Sequence, residues 1–450
     1  MLNRAFNFKK RKEEIYMKRI LCIGTIIIFL FSLLLFPFGK PSEKAFGSSQ
    51  SIKLRVAWWG SQTRHDRTQK VLELYRAKVN RKVSFVTEFG SWSGYWDKLT
   101  TQAAAKNLPD IIQMDYMYLA QYVQKGLLAD LTPYTKNGIL NLKDVSEASI
   151  KSGSVGGRIY AISLGTNALA IIYDPAVAQK AGVKIPEDGN WTWNDYKEII
   201  KKVYQKTKIR ADLALTADPK FLLEYYVRQQ GKSLYKHDGT GLGFTQEKFV
   251  IDVFNINLEL LKGGYTAKPD EVSATSTIED SLFVKGKTWI GWTWSNMFVA
   301  TANAAKRPLA LALPPKGGIR PGLYLKPSQF FSIAATSKYK TEAAKVINFF
   351  TNSIEANNIL LAERGVPISA KVREGIKNAV EPAVRQTFDY IALAEKNCSP
   401  IDPPDPPGGT EVGQTFKDLY DQVLYGQIKP ETAAKMFMQK ANQILAKNKK

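Results

Sequence analysis

The nine tryptophans of this 450-residue chain stand in four tight groups. The groups are Trp58 with Trp59, Trp92 with Trp96, Trp191 with Trp193, and Trp289 with Trp292 and Trp294. A flat indole can bury the apolar C–H face of a pyranose ring, while Asn, Asp, Gln and Arg side chains satisfy the hydroxyls of its rim. We therefore interpret the groups as aromatic faces brought from distant segments to one carbohydrate cleft. An ordinary core position is the alternative for each single tryptophan.

The last of these groups lies on a predicted strand. Residues 288–294 carry β-branched and aromatic side chains after the basic turn at 285–287, and Ser295-Asn296 suits a turn or a helix start. Side chains alternate across a strand, so Trp292 and Trp294 share one face and Trp289 points the other way. At least one indole should therefore belong to the core, and at least one can line a cleft.

The first part of the folded chain alternates strands with helices. Strands are predicted at 54–59, 82–89 and 109–114, and helices at 63–79 and 94–106. This order favours a parallel α/β sheet, whose ligands bind beyond the carboxyl ends of the strands. The residues at those ends are Trp58, Trp59, Phe89, Trp92, Asp115 and Tyr116. We expect these strand ends to contribute aromatic and acidic groups to one crevice.

The remainder of the chain mixes strands and amphipathic helices. Asp174-Pro175 opens a helix, and Thr192 with Asp195 suits the capped start of another. Further strands are predicted at 309–315 and 327–333, a Pro-rich loop at 399–409, and helices at 245–262, 341–350, 354–363, 381–395, 411–424 and 430–447. At this length, two domains are the default expectation.

The first 47 residues are typical of a targeting segment. Lys18 and Arg19 precede the apolar run 20–36, and Ala45-Phe46-Gly47 offers small residues before a cut ahead of Ser48. Export is therefore predicted, with an uncleaved N-terminal membrane anchor as the alternative. Cys22 stands early in the apolar run, which fits a lipoprotein signal poorly. Both Met1 and Met17 are candidate starts.

The net charge is strongly positive, with 63 basic against 41 acidic residues and a formal charge of +22. Such an excess favours an acidic partner. For an exported protein this indicates an anionic cell wall, lipid headgroups or an acidic sugar, and no nucleic acid is expected. A generally solvated basic surface is the alternative.

Several stretches, taken in order, resemble extracellular solute-binding protein family 1, the sugar-capturing component of bacterial ABC importers. They are Gly157-Arg158-Ile159-Tyr160-Ala161-Ile162, Ile171-Ile172-Tyr173-Asp174, Ala181-Gly182-Val183, Trp191-Thr192-Trp193, Phe283-Val284-Lys285-Gly286-Lys287, Leu313-Pro314-Pro315, and Glu342-Ala343-Ala344 with Gly365-Val366-Pro367. The resemblance runs from about residue 54 to the C-terminus. Its specificity lies in the order and spacing of these motifs.

A narrower resemblance is to a branch associated with pectin-derived oligosaccharides, especially rhamnogalacturonan fragments. It rests on Ala57-Trp58-Trp59-Gly60 with Arg64-His65-Asp66, Ile112-Gln113-Met114-Asp115, Asn190-Trp191-Thr192-Trp193, Glu363-Arg364-Gly365 and Asp402-Pro403-Pro404-Asp405-Pro406. Many members of this branch are lipoproteins. The missing lipoprotein signal here is a departure that concerns membrane attachment.

The resemblance implies a two-lobed α/β fold of the type II periplasmic binding protein kind, with a hinge that the chain crosses more than once and a ligand cleft between the lobes. The implied first lobe comprises residues 54–165 and 326–370, and the second 167–325 and 372–450. Closure about the hinge would trap an oligosaccharide and present it to ABC permease subunits. A monomer without a cofactor is expected, located outside a bacterial cell or at its surface.

The candidate ligand-binding residues are Trp58, Trp59, Arg64, Trp92, Asp115, Tyr116, Trp292, Trp294, Asn296, Gln329 and Arg364. Asp115 can accept sugar hydroxyls, and a helix N-cap is its alternative role. Arg64 and Arg364 can pair bidentately with a uronate carboxylate, whereas an ion pair within the protein is their common fate. Trp191 and Trp193 are expected to pack a helix start against the sheet.

Two other classes of protein remain open on sequence grounds. A secreted glycoside hydrolase or polysaccharide lyase would need two carboxylates across one cleft, and 41 acidic residues allow that by number. However, only His65 and His237 are available for base chemistry, and no Cys/His metal spacing is present, so no catalytic or metal residues are predicted. A cell-wall lectin, which holds sugars without importing them, is the third class.

Overall fold

The computed structural model of the chain describes residues 51–60, 62–90, 92–215, 218–275 and 277–448. The predicted signal peptide or anchor, residues 1–47, lies outside the described residues. Within those ranges, none of the helices combines the length and apolar character needed to cross a membrane.

The strands and helices follow one another through the whole described chain. The strands are β1 (Ile52–Trp59), β2 (Val83–Gly90), β3 (Ile111–Met114), β4 (Ser154–Val155), β5 (Arg158–Ile159), β6 (Ile162–Ser163), β7 (Thr166–Asn167), β8 (Leu169–Tyr173), β9 (Ile290–Trp294), β10 (Ala310–Ala312), β11 (Lys326–Pro327) and β12 (Phe330–Ile333). The helices are α1 (Gln62–Lys78), α2 (Trp92–Ala104), α3 (Tyr116–Gln124), α4 (Thr132–Lys136), α5 (Glu147–Ser152), α6 (Pro175–Lys180), α7 (Trp193–Thr207), α8 (Lys220–Gln229), α9 (Glu247–Lys262), α10 (Pro269–Ser273), α11 (Phe298–Ala305), α12 (Lys340–Asn352), α13 (Ile354–Leu360), α14 (Ala370–Ile376), α15 (Pro382–Lys396), α16 (Gly409–Leu424) and α17 (Pro430–Ala446).

The first sheet has five strands in the order β2-β1-β3-β12-β6. β1 pairs in parallel with both β2 and β3, which confirms the strand and helix alternation predicted for this part of the chain. β12 runs antiparallel to β3 and β6, so the complete sheet is mixed, although the predicted first three strands are parallel. The reason is that β12 enters from a distant part of the chain, and the local βα alternation does not set its direction.

The second sheet has three strands in the order β10-β8-β9, and all its pairs are antiparallel. β9 carries the tryptophan cluster, and its register places Trp294 opposite Leu169 and Trp292 opposite Ile171. Trp289, just before the strand, is fully buried, while Trp292 and Trp294 are partly exposed. The predicted division of the indoles between core and accessible face is therefore confirmed.

The chain passes between the two sheets through adjacent short segments. β7 connects β6 of the first sheet to β8 of the second, and β11 connects β10 back to β12. β7 and β11 pair with each other antiparallel, and Val366 adds a bridge to Thr166 on the same strand. This arrangement is the multi-crossing hinge of a two-lobed binding-protein fold, as predicted. The exact lobe limits given above stay a prediction.

Glycine is required where these crossings meet. A Cβ atom added at Gly165 would lie 2.0 Å from the backbone oxygen of Arg364, which no side chain could accommodate without moving the backbone. Gly365 has a φ of +92°, a conformation that other residues rarely adopt. Two of the crossing segments can therefore approach at backbone distance only because each has a glycine there.

Two expectations about single elements need correction. The predicted strand over 327–333 is divided into β11 and β12, because Ser328 and Gln329 turn toward the backbone of Arg364 and interrupt the pairing. Helix α8, residues Lys220–Gln229, has no counterpart among the sequence-based predictions. The predicted start of α7 is confirmed, since Thr192 and Asp195 form a reciprocal capping box.

Phe331 on β12 anchors the returning strand in the core of the first sheet. Its ring is fully buried and meets Phe350 of α12 edge-on at 5.2 Å. Replacement by alanine would leave a cavity, so we expect Phe331→Ala to lower the free energy of unfolding by about 3–5 kcal/mol. Denaturant unfolding followed by tryptophan fluorescence measures this change. Phe89→Ala, at a position 44% exposed, is the matched control and should cost less; equal losses would contradict the central role of β12.

Candidate ligand-binding cleft

Trp58 and Trp59 end β1, but neither presents a free indole face to solvent. Trp58 is fully buried, donates its indole N–H to Nδ1 of His65 at 3.0 Å, and stacks on Phe89 with ring centroids 5.2 Å apart. Trp59 is 9% exposed and packs among Tyr95 and Trp96. In this position Trp58 has no surface for a ligand, because the core surrounds it. The structure therefore shows Trp58 as a core residue, and its role in ligand binding stays a prediction.

The two predicted arginines are both engaged within the protein. The Nε of Arg64 lies 2.9 Å from Oε1 of Glu363, and its Nη1 donates to the backbone oxygen of Trp59 at 3.1 Å. Arg364 is 3% exposed, and its Nη2 donates to Oγ1 of Thr68 at 2.7 Å. Burial is the main cause that lowers the pKa of Arg364 to about 9, with the charge of Arg64 adding to it. Both guanidinium groups are engaged by contacts within the protein, so neither is free to form a bidentate pair with a sugar carboxylate.

Gln329 belongs to the same buried network. Its Nε2 donates to the backbone oxygen of Arg364 at 3.1 Å, and Ser328 donates its hydroxyl to the same oxygen. The guanidinium of Arg364 in turn donates to Oε1 of Gln113 at 3.3 Å. Gln329 therefore ties the start of β12 to the segment around Arg364, next to the Val366 bridge, rather than facing the cleft.

Asp115 and Tyr116 follow β3 at the carboxyl edge of the first sheet. Asp115 caps α3, since its carboxylate accepts from the N–H of Met117 at 2.9 Å, and it is only partly buried. Burial raises the pKa of Asp115, while the N–H of Met117 and the nearby Lys326 oppose that rise. The phenol of Tyr116 donates to the backbone oxygen of Asp402 at 2.8 Å. This bond joins the first sheet's edge to the Pro-rich loop before α16.

Trp292 and Trp193 form an aromatic stack beside the second sheet. Their rings are 5.7 Å apart and nearly parallel, with an interplanar angle of 14°. Trp292 also donates its indole N–H to the hydroxyl of Tyr196 at 3.2 Å. One face of Trp292 is therefore covered by Trp193, which was expected to serve helix packing alone.

Trp294 is the predicted tryptophan with the most suitable environment for a ligand. It is partly exposed at the end of β9, where Phe221 of α8 meets it edge-on at 5.1 Å and Tyr324 at 6.2 Å. A small cavity of about 10 Å³, room for about one water molecule, lies between these three rings. The ammonium of Lys326 stands 4.9 Å from the centre of the Trp294 ring. The charge of Lys326 also opposes the rise in the pKa of Asp115. Asp115 after β3 and Trp294 at the end of β9 therefore both lie near this ammonium and contribute to one cleft.

Helix α8 adds charged groups to this cleft that the sequence did not reveal. Arg228 is fully buried and pairs with Asp402 at 2.7 Å, and its Nη2 donates to Oγ of Ser399 at 2.6 Å. Lys220 pairs with Asp405. These contacts attach the Pro-rich loop to α8 about one turn before and one turn after Glu224. The loop thus presents the oxygen of Asp402 to Tyr116 because two cations of α8 hold it in place.

Glu224 lies between those two ion pairs, next to the hydroxyl of Tyr324 at 3.5 Å. Burial raises its pKa to about 7, and the positive charges of Lys220 and Arg228 oppose the rise. Burial likewise raises the pKa of Asp218, which precedes α8. Glu224 can therefore exchange a proton near neutral pH and can accept or donate a hydrogen bond to a hydroxyl, and burial also favours the neutral forms of Asp115 and Asp218.

The remaining predicted residues are Asn296 and Trp92. Asn296 is exposed on the 3-10 helix Ser295–Met297, directly after β9. Trp92 begins α2, and its side chain lies outside the described part of the structure.

The structure thus brings Asp115, Tyr116 and Trp294 to one cleft, whereas Trp58, Arg64, Gln329 and Arg364 are held inside the first lobe's network. Sequence reasoning missed the cleft residues Phe221, Glu224, Arg228, Tyr324 and Lys326. The motif Asp402-Pro403-Pro404-Asp405 was a usable signal, because two acids in a rigid Pro-rich loop call for basic partners. Finding those partners required α8, which the sequence-based predictions lack.

Comparison with known proteins gives one family match and several structural likenesses. A family model described as bacterial extracellular solute-binding protein matches residues 70–386. The diacetylchitobiose binding protein DasA of Streptomyces coelicolor is 24% identical over 315 residues, which cover 67% of this chain and 70% of that protein.

Two solved structures share the architecture. The extracellular solute-binding protein family 1 structure from Alicyclobacillus acidocaldarius is 32% identical, with a TM-score of 0.82, and the match covers 89% of this chain and 100% of the other. The periplasmic oligogalacturonide binding protein of Yersinia enterocolitica is 22% identical, with a TM-score of 0.72, covering 88% of this chain and 100% of that one. The latter likeness concerns the fold alone.

The raised pKa of Glu224 has a consequence for stability. The folded value of about 7 exceeds the ordinary 4.5, so the neutral form is favoured by folding, and this contribution is lost as the pH rises from about 4.5 through 7. We expect Glu224→Gln to be more stable relative to wild type at pH 8 than at pH 5. Denaturant unfolding at both pH values measures the difference, with Glu374→Gln at an exposed helical position as control. The same difference at both pH values would contradict the raised pKa.

Proposed function

The chain belongs to the bacterial extracellular solute-binding proteins, and we propose that within this family it captures an oligosaccharide for an ABC importer. The observation that carries the proposal is the cleft in which Trp294, Phe221 and Tyr324 stand near Glu224 and near Lys326, whose charge acts on Asp115. Aromatic rings can pack on the apolar face of a sugar, and carboxylates can accept from its hydroxyls. The diacetylchitobiose specificity of the Streptomyces relative supports a carbohydrate as the class of ligand.

Capture by closure requires contacts on both sides of the hinge. A ligand shifts the open and closed states only by binding one of them better. Asp115 and Tyr116 follow the first sheet, and Trp294 ends a strand of the second, so a sugar between them would contact both. The hydrogen bond from Tyr116 to the backbone of Asp402 supports this proposal, because the two sides already meet at that point.

We propose an acidic pectin fragment, such as a rhamnogalacturonan oligosaccharide, as the ligand. The proposal derives from the narrower resemblance in the sequence and from the positive charge of the chain. It no longer involves Arg64 or Arg364, whose guanidinium groups are bound within the protein. Any carboxylate of the ligand must therefore be received by another cation of the cleft.

The partners and location follow from the proposed role. Permease subunits would take the sugar from the closed protein, which would act as a monomer outside the cell. Export, and attachment through residues 1–47 if that segment is retained, complete the proposal. Binding without catalysis is favoured over a hydrolase or lyase, because the named relatives are binding proteins.

Calorimetric titration of the protein from Ser48 tests the ligand class and the cleft together. Acidic rhamnogalacturonan fragments and neutral oligosaccharides are compared at two salt concentrations. We expect one-to-one binding, and Trp294→Ala should weaken it by roughly tenfold through the lost ring contact.

Trp58→Phe is the matched control for this titration, because its indole is buried away from the cleft. It should reduce stability and leave the affinity within about twofold, since it alters core packing alone. If Trp58→Phe weakened binding as much as Trp294→Ala, the placement of the sugar beside Trp294 would be wrong. Release of reducing ends from the sugar by the purified protein would instead favour an enzyme.

Closure is tested separately by small-angle X-ray scattering with and without the sugar that binds. The radius of gyration should decrease on binding, since hinge closure brings two compact lobes together. A lectin with a preformed site changes shape little. Identical scattering curves at saturating ligand would therefore favour the lectin over the importer component.

A further inference from the structure

The ammonium group of Lys326 occupies a distinctive place in the cleft. Lys326 is exposed on β11, with Nζ 4.9 Å from the centre of the Trp294 ring and 5.5 Å from that of Phe221. Attraction to the two ring faces favours this position of the charge. The backbone is fixed as well, because Lys326 pairs with Asn167 in the hinge.

Four other cations, two on α8 and two predicted from the sequence, are already engaged within the protein. Arg228 pairs with Asp402 at 2.7 Å, Lys220 with Asp405, and Arg64 with Glu363 at 2.9 Å. Arg364 is buried in the first lobe's network. Lys326, by contrast, forms no ion pair with any described residue, and its ammonium stands over two ring faces of the cleft.

Lys326 also stands at the meeting point of the two lobes. Its strand β11 lies between the last strand of the second sheet and β12 of the first. Its charge acts on Asp115 at the edge of the first sheet and on Asp218 before α8. A ligand group that reaches this ammonium is therefore close to both sides of the cleft.

We propose that Lys326 binds the carboxylate of a uronic acid in the captured oligosaccharide and so selects acidic over neutral chains. This inference rests on the proposed function and names the residue that would recognise the negative charge of the ligand. A sugar ring packed against Trp294 would bring a carboxylate on its rim toward Nζ. Because closure removes water from the cleft, the Coulomb attraction between the two charges would be stronger there than at an open surface, against a cost of desolvating them.

The neighbouring carboxyl groups limit what this site can accept. Asp115, Asp218 and Glu224 would repel an anionic ligand when they are charged. Burial raises the pKa of all three carboxyl groups, to about 7 for Glu224, while the charge of Lys326 opposes the rise at Asp115 and Asp218. The positive charge of Lys326 then has the ligand carboxylate as its partner.

The test compares an acidic rhamnogalacturonan tetrasaccharide with the same chain after reduction of its uronic acids to neutral alcohols. Calorimetry measures both affinities for wild type, Lys326→Met and Lys326→Arg. Lys326→Met should weaken the acidic chain by at least about tenfold, since it removes one partner of a charge pair, and change the neutral chain by less than about twofold. Lys326→Arg should retain most of the acidic preference.

Lys125→Met, at an exposed position of the first lobe, is the control for the loss of one positive charge from the whole protein. It should leave both affinities unchanged at physiological salt. Equal weakening of both chains by Lys326→Met would overturn the inference, because the ammonium would then serve hydroxyl groups. Wild-type binding of the neutral chain alone would also overturn it while leaving sugar capture intact, and binding of neither chain would remove the proposed function as well.

Discussion

The backbone oxygen of Arg364 is the point on which the two-lobed arrangement depends. Ser328 and Gln329 from the second chain crossing both donate to it, and Gly165 from the first crossing lies so close that a Cβ there would come within 2.0 Å. Three segments that are far apart in sequence are thus joined at one carbonyl group. A buried carbonyl with two donors satisfies the usual requirement for backbone polar groups. The hinge can be narrow because side chains are excluded at this point.

The guanidinium of the same residue extends this connection into the first sheet. Arg364 donates to Thr68 on α1 and to Gln113 on β3, and its charge lies 5.9 Å from the centre of the Phe331 ring. A buried cation is costly unless its hydrogen bonds are made, and the lowered pKa reflects that cost. Arg364 thereby helps to fix β12, the strand that the chain enters directly after the hinge strand β11. The rigid support of the cleft therefore uses the arginine that the sequence had suggested as a ligand contact.

In the cleft, the aromatic groups and the charged groups have different roles. Phe221, Trp294 and Tyr324 supply ring surfaces, while the ion pairs of Arg228 and Lys220 hold the Pro-rich loop against α8. Because Arg228 and Lys220 are already paired with carboxylates, few residues determine the electrostatic potential that acts on a ligand. The same loop supplies the backbone oxygen that Tyr116 reaches from the first sheet. Ligand contact, loop position and approach of the lobes are consequently linked through α8.

The sequence by itself determined the elements whose signals are local. The alternation of β1, α1, β2, α2 and β3, the capping box at Thr192 and the opposite orientation of Trp289 and Trp294 follow from periodicity and from short-range hydrogen bonding. Only the tertiary structure decided which strand-end groups face the cleft. Trp58 and Trp294 both stand near strand ends, yet His65 and Phe89 cover the first while the second borders a pocket. Likewise, Arg228 meets Asp402 across 174 residues of chain, and a contact of that kind depends on how whole helices and loops pack rather than on any local pattern.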